Sequence, residues 1–185
     1  MTVTPETTPT APLPPRTLGD ERMKVAFLAT VPAGGLEDLT AAELNAALDA
    51  SCRLAKDGTY FRAAASENIT EAAICEPAST QALGPSNYEA QATPFRYFSE
   101  TTTGSADPSG DALFAALRQK GSTGVFVTRL VNKKWDEPWA AGDEYSAFQV
   151  ESDNWIQQED TSAGYVKATV PLIVKDGELN GVVAA

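Results

Sequence analysis

The chain has 185 residues, 43% of them hydrophobic, and its 25 acidic against 14 basic side chains give a formal net charge of -11. This acidity argues against a nucleic-acid-binding surface, because such surfaces are basic. The sequence contains no histidine, which excludes Ser-His-Asp and Cys-His catalytic sites and histidine-ligated zinc.

An extended N-terminal arm is predicted over residues 1–20, followed by one β-rich domain over residues 21–185. The arm is rich in threonine and proline, which disfavours both helix and central strand. Its prolines are Pro5, Pro9, Pro12, Pro14 and Pro15. We expect no signal peptide, because no basic region is followed by an apolar stretch, and no apolar run approaches the roughly 20 residues that span a bilayer.

The first half of the domain is predicted to alternate strands with one short helix. Thr40 and Glu43 have the spacing of a capping box, so a helix should begin there and end near Ala47. Strand patterns cover residues 23–29, 49–54, 59–65 and 69–75. Cys52 and Cys75 are predicted to be separate, reduced core thiols, because the chain carries no export signal.

Residues 77–108 are predicted to form a long loop excursion with one strand at residues 95–98. Pro77, Gly84, Pro85 and Pro94 interrupt any regular pattern there. Loops of this length without their own periodicity are usually functional or disordered, so we expect a partner surface in this region.

The second half of the domain is predicted to start with a helix at residues 111–120, because Leu113, Phe114 and Leu117 share one face. Strands should follow at residues 124–131 and 145–151. A longer strand over residues 166–174 should turn in a tight hairpin at Asp176 and Gly177 into residues 179–184.

Pro171 lies inside that long strand, and its missing N–H predicts a sheet edge or a bulge. Together these elements predict a mainly β protein: an antiparallel β-sandwich with one flanking α-helix, an N-terminal arm and a long mid-chain loop.

An acidic belt between Trp135 and Val166 carries no Lys or Arg. Its carboxylates are Asp136, Glu137, Asp143, Glu144, Glu151, Asp153, Glu159 and Asp160. A pair of them could serve a glycoside hydrolase, and acidic loops can bind calcium. The spacing matches no calcium loop and no phosphate-binding glycine motif is present, so solvated charge is favoured and neither a metal nor a cofactor is expected.

Several segments within residues 39–185 occur in an order and at a spacing that match a known protein family. They are LTAAELNA at 39–46, ITEAAIC at 69–75, the helix from Asp111 leading to GSTGVFVTR at 121–129, AAGD at 140–143, FQV at 148–150 and the final strands at 165–184. This succession resembles the major tail proteins, or tail tube proteins, of bacteriophages with long non-contractile tails, particularly those of actinobacterial hosts.

The resemblance implies a structural virion protein without catalysis. Its subunits would form hexameric rings whose strands close an inner barrel, and stacked rings would form the tail tube through which the genome is ejected. It also implies contacts with the tape measure, tail terminator and distal tail proteins, transient passage of DNA, no membrane, and assembly in the host cytoplasm. The arm and the loop at 77–108 would reach adjacent subunits and rings.

A lumen lined with carboxylates would repel DNA and so prevent contacts that stall ejection. We therefore hypothesise that a subset of Asp143, Glu144, Glu151 and Asp153 faces the lumen. The alternatives are a head decoration protein, a head-tail joining protein, or a carboxylate-dependent hydrolase, which would need a carboxyl group with a raised pKa in a cleft.

Overall fold

The computed structural model describes residues 16–71, 80–158 and 164–185. Most of the predicted arm, Cys75 and two belt carboxylates, Glu159 and Asp160, lie outside the described residues. Along the chain the elements are β1 Met23–Leu28, α1 Ala41–Ala46, β2 Leu48–Asp49, β3 Tyr60–Ala64, β4 Asn68–Glu71, β5 Thr80–Leu83, β6 Asn87–Ala92, α2 Ala112–Leu117, β7 Thr123–Leu130, β8 Glu144–Ser152, β9 Ile156–Gln157 and β10 Ala168–Val182.

Antiparallel pairing joins eight of the strands into one sheet with the order β2-β1-β7-β8-β10-β6-β3, and β9 pairs with the start of β10. Strands β4 and β5 form a separate two-stranded antiparallel sheet. The prediction of a mainly β, antiparallel fold is confirmed, and two short helices accompany the sheet. No helix in the described ranges has the length and apolar character needed to cross a bilayer.

The first hydrophobic core lies inside the curl of this sheet. Phe61 lies on β3, the last strand in the order, and three strands separate β3 from β7, yet the ring centroids of Phe61 and Phe126 on β7 are 4.5 Å apart. Phe27 on β1 contacts the same Phe126 ring at 5.0 Å. Leu113 and Leu117 of α2 belong to this core. The sheet therefore bends until β3 faces β7 across a shared aromatic centre.

A second core covers the opposite face of β1, β7 and the first half of β8. Val125, Val127, Tyr145 and Ala147 contribute from the sheet, and Leu44 contributes from α1. The predicted capping box fixes the start of α1: the Glu43 carboxylate accepts from the Thr40 amide at 2.9 Å, and the Thr40 hydroxyl accepts from the Glu43 amide at 3.3 Å. Hydrogen bonds from the Thr40 amide and hydroxyl to the carboxylate lower the pKa of Glu43, and the helix prediction is confirmed.

Helix α2 is shorter than predicted and lacks a side-chain cap. Asp111 does not bond the helix amides because its carboxylate is taken by Arg96, whose Nε and Nη2 donate to it at 2.9 and 3.0 Å. After Arg118 the chain turns, and the Gly121 amide donates to the Ser152 carbonyl at 2.8 Å. Tertiary contacts therefore shorten a helix whose apolar face was predicted correctly.

The predicted hairpin at Asp176 and Gly177 is wrong. Strand β10 continues through both residues because β8 pairs with them directly, Asp176 with Gln149 and Gly177 with Phe148. Register shifts lie on either side, between Val174 and Asp176 and between Glu178 and Gly181. The Asp176 carboxylate accepts from the Gly177 amide at 2.8 Å. The Asp-Gly pair thus lies between two bulges of a long strand and does not reverse it.

Pro171 lies inside the sheet, paired with Gln91 of β6, so its predicted place at an edge or bulge is also wrong. Its carbonyl accepts from the Asp153 amide at 3.0 Å. In an extended strand the N–H and C=O of one residue point to the same side, so the position of the missing N–H is on the β8 side of Pro171. The ladder with β8 ends one residue away, where Leu172 pairs with Ser152. The missing N–H therefore costs no ladder hydrogen bond.

The segment predicted as a strand at 49–54 is largely a turn. Only Leu48–Asp49 pair with β1, and the Asp49 carboxylate then accepts from the Ser51 amide at 2.9 Å. Cys52, predicted as a core thiol, is free and exposed on this turn. Strand β3 matches the prediction for 59–65, and the strand predicted at 69–75 begins as β4.

Within residues 77–108 the structure places β5 and β6, and β6 pairs with both β3 and β10. Residues 95–98, predicted as a strand, form only isolated bridges from Phe95 to Lys167 and from Phe98 to Ala106. Alternation is weak in β6 because its core-facing residues are the small Ala90 and Ala92. A glycine- and proline-rich composition therefore concealed an interior strand.

Candidate functional site

The outer half of β10, residues 173–182, is paired with a neighbouring strand of the described chain on one side only. We call residues 144–152 of β8 and 173–182 of β10 the β8–β10 ribbon. Pairing with β6 stops at Leu172, and beyond it the Tyr88 hydroxyl of β6 donates to the Gly177 carbonyl at 3.0 Å. Among the described residues no strand pairs with the free edge of β10 from residue 173 onward.

Apolar side chains follow this free edge. Ile173 is 51% exposed, Leu179 39% and Val182 53%. A strand edge with unpaired amides, carbonyls and exposed aliphatic groups is a template for pairing with another chain. Isolated exposed aliphatic residues are ordinary, but three along one free edge identify a surface suited to self-association.

Two tyrosines hold the ribbon against the domain through glycines. The Tyr88 ring lies so close to Gly177 that a Cβ there would be 2.9 Å from it. The Tyr145 ring covers Gly181 more tightly still, and the Tyr145 hydroxyl donates to the Leu36 carbonyl at 2.7 Å. Burial, reinforced by Glu178, Asp38 and Glu37, raises the pKa of Tyr145. The ribbon is therefore anchored at two glycines, which have no side chain and so leave room for the tyrosine rings.

Asp143, one of the four lumen candidates, is buried and neutralised. Arg129 Nη1 donates to it at 3.0 Å and Lys133 Nζ at 2.5 Å. Burial acts to raise the pKa of Asp143, but hydrogen bonds from Lys133, the Ala140 amide and Arg129 outweigh it, so the pKa lies below its ordinary value. Asp143 is therefore a buried carboxylate held by two cations.

Arg129 is fully buried and organises the loop between β7 and β8. Its Nη2 donates to the carbonyls of Lys134 and Glu137 at 2.8 and 3.1 Å, and its Nη1 donates to the Pro138 carbonyl at 3.0 Å. Its guanidinium also lies 5.1 Å from the Trp139 ring centroid. Sequence reasoning missed this residue, although it follows Val125 and Val127 at strand spacing and so shares their buried face.

The other candidates differ in their partners. Glu151 pairs with Lys175 at 2.9 Å, and Asp153 pairs with Lys120 at 2.9 Å. Hydrogen bonds from Lys120 and the Asn154 amide lower the pKa of Asp153. Glu144 is exposed at the start of β8. The belt predicted to be unneutralised is thus partly neutralised by cations that lie outside it in sequence.

Four carboxylates that the sequence argument did not select cluster near the bulges of β10. Glu37, Asp176 and Glu178 line one shallow cavity of about 190 Å³, and Asp38 adds to their field at Tyr145. None of the ion pairs in the described chain involves them. Asp176 was overlooked because it was assigned to a turn, whereas the strand register places it opposite Gln149 of β8.

Among the described residues, no three Asp, Glu or Cys side chains are grouped to hold a metal ion. Three carboxyl groups, those of Glu43, Asp143 and Asp153, have lowered pKa values, opposite to what a general acid requires.

The sequence model of one protein family, described as phage tail tube protein, matches residues 10–185. No curated protein matches the sequence significantly. The fold is similar to that of a chain in the cryo-electron-microscopy structure of the anti-feeding prophage baseplate, which was sixfold symmetrised. The TM-score is 0.51 at 13% sequence identity, and the match covers 91% of this chain and 98% of the other.

Proposed function

This chain belongs to the phage tail tube protein family, and on that premise we propose that its copies form hexameric rings that stack into the tube through which the phage genome is ejected. As a member of that family it is a structural component of the phage tail and not an enzyme. The ring, the stacking and the role in ejection are the parts that we propose.

The free edge of β10 is the observation that carries the proposal. In a head-to-tail ring each subunit presents one edge to its neighbour and receives another, so the same surface is used by every copy and the ring closes. Pairing of the residue 173–182 edge with a strand of the next subunit would satisfy its amides and carbonyls and cover Ile173, Leu179 and Val182.

Sixfold symmetry is favoured by the structural neighbour. The anti-feeding prophage baseplate was sixfold symmetrised, and one of its chains shares this fold over almost its whole length. A ring built from one fold through one kind of edge contact repeats the same rotation at each interface. We therefore assign six copies to each ring of this chain.

The charge that faces DNA would come from the unpaired carboxylates of the ribbon. Glu144 remains from the four original candidates, and Asp176 and Glu178 join it, whereas Asp143 is buried and Glu151 and Asp153 are paired with lysines. Like charge on a wall repels the phosphate backbone and prevents stable contacts. This arrangement would let DNA pass without specific binding.

The sequence resemblance extends the proposal to the rest of the tail. We propose a long non-contractile tail of the actinobacterial-host type, with the tape measure protein inside the tube and the tail terminator and distal tail proteins at its ends. Assembly in the host cytoplasm follows from the same resemblance. A head decoration or head-tail joining role is disfavoured by the family match over residues 10–185.

Negative-stain electron microscopy of the purified chain tests the assembly directly. The unmodified chain should form rings or long tubes, and Leu179→Lys with Val182→Lys should prevent them, because two charges on the free edge oppose strand pairing. Asn154→Lys with Gln119→Lys adds the same charge away from that edge and should leave tubes intact. Tubes that persist in the edge variant, or their absence from the unmodified chain, would contradict the proposal.

A further inference from the structure

An aromatic groove lies away from the β8–β10 ribbon. One part, of about 440 Å³, is lined by Phe95, Arg96, Tyr97, Tyr165 and Cys52. A second part, of about 420 Å³, shares Tyr97 and Cys52 and extends to Trp135. The two cavities adjoin at these shared residues, and we call the pair the aromatic groove.

The walls of the groove are fixed by contacts within the domain. The Arg96 amide donates to the Val166 carbonyl at 2.8 Å, and the Phe95 and Tyr165 rings meet edge to face at 5.8 Å. The Tyr97 hydroxyl donates to the Cys52 carbonyl at 3.3 Å. Tyr165 is nevertheless 81% exposed. A held but exposed aromatic wall is suited to binding an apolar segment without rearrangement.

The N-terminal arm leaves the domain beside one end of this groove. The Trp135 amide donates to the Glu21 carbonyl at 2.9 Å, and Lys134 lies 3.6 Å from the Glu21 carboxylate. Residues 1–15 precede the described chain, and as a polyproline II segment they would extend roughly 45 Å at about 3.1 Å per residue. The arm is therefore long enough to follow the groove of its own subunit.

The proline spacing of the arm matches such a groove. Pro9, Pro12 and Pro15 recur every three residues, which is one turn of a polyproline II helix, so their rings share one face. Proline faces of this kind dock between aromatic side chains because the segment is already extended and loses little entropy. Pro5 and Pro14 fall outside this repeat.

We propose that residues 9–15 occupy the aromatic groove of the same subunit before assembly, running from Pro15 at the Trp135 end through Pro12 to Pro9, with the proline face against Trp135, Tyr97 and Tyr165. Attachment to the same chain favours this occupant, because a short tether gives an effective concentration in the millimolar range. The arm would thereby cover an exposed aromatic surface in the free subunit.

Reaction of Cys52 with a thiol reagent reports on the groove, because this thiol lines both of its parts. The full chain carrying Cys75→Ser is kept dilute and unassembled, and its labelling rate is measured. Changing Pro9, Pro12 and Pro15 to Ala should raise the rate roughly fivefold, as expected if the arm is docked about four-fifths of the time. Pro5→Ala with Pro14→Ala is the matched control and should leave the rate unchanged.

Three results would overturn the proposal: no change in the triple variant, an equal increase in the control, or a rate that falls with protein concentration, which would place the arm on a second copy. As a second measurement, a peptide of residues 1–16 added to the triple variant should restore protection of Cys52, and failure to do so counts against the groove. Circular dichroism confirms folding of each variant. Because the subunit is unassembled, these outcomes are independent of ring formation.

Discussion

The loop between β7 and β8 and the outer half of β10 both carry acidic side chains, but they use them in opposite ways. In the loop, Asp143 is buried and neutralised by Arg129 and Lys133. On β10, Asp176 and Glu178 are not part of any ion pair in the described chain and lie along a strand with a free edge. A carboxylate from the acidic belt is therefore structural, whereas two carboxylates outside the belt have no ion-pair partner in the described chain.

The largest effect is expected from Arg129→Met, which breaks the buried side of this comparison. It leaves Lys133 as the one cation beside Asp143 and removes the donor from three loop carbonyls, so the free energy of unfolding should fall by about 3–5 kcal/mol. Urea denaturation measures this loss. Arg62→Met is the matched control, because its pair with Glu89 is exposed, and its cost should stay below about 1 kcal/mol. Equal losses would refute a special role for burial.

The anchoring of the ribbon is tested by Gly181→Ala. The added methyl group meets the Tyr145 ring, so the ring or the strand must move, at a cost of about 1–3 kcal/mol. Thermal unfolding measures the cost, and electron microscopy should show fewer tubes. Gly19→Ala, where nothing lies within 4 Å of the added carbon, should change neither. An unaffected Gly181 variant would mean that the ribbon is not held as described.

A pH titration separates buried from exposed carboxylates. The folded pKa of Asp143 is lowered, so its stabilising effect is present above the unfolded value of about 3.9 and is lost as the pH falls through the lower folded value. The slope of unfolding free energy against pH below about 4 should therefore shrink in Asp143→Asn. Asp153→Asn should leave the slope nearly unchanged, because its pair with Lys120 is exposed. Similar slopes in both variants would contradict the distinction.

The smallest effect concerns the charge of the ribbon. Asp176→Asn with Glu178→Gln should leave stability nearly unchanged but increase retention of DNA fragments by assembled tubes about two- to fivefold at low salt, since repulsion of phosphate weakens. Sedimentation of tubes with labelled DNA measures it. Asp57→Asn with Glu100→Gln makes the same change of charge at other exposed positions and should have no effect. Equal retention of DNA by both variants would contradict the placement of the ribbon carboxylates on the surface that faces DNA.

Local sequence patterns predicted the elements that are determined by residues close together in the chain. The bonds between Thr40 and Glu43 close over three residues, and the apolar face of α2 repeats with the helix period. The mainly β fold followed from the succession of strand patterns along the chain. These features depend on neighbours along the chain, which a sequence displays directly.

Features set by distant partners were missed. The Asp176-Gly177 pair has the composition of a turn, but the ladder with β8 holds it in a strand. Lys120 and Lys175 neutralise Asp153 and Glu151 from outside the belt. Tertiary contacts decided both outcomes. Such contacts cannot be read from the number of charges in a segment or from a dipeptide typical of turns.

We propose that the free edge of β10 joins one subunit to the next in a sixfold ring. A cryo-electron-microscopy reconstruction of tubes formed by the unmodified chain tests it most directly. We predict six copies in each ring, with residues 173–182 hydrogen-bonded to a strand of the adjacent subunit and with Glu144, Asp176 and Glu178 facing the lumen. A reconstruction in which that edge stays unpaired on the outer wall would contradict the account.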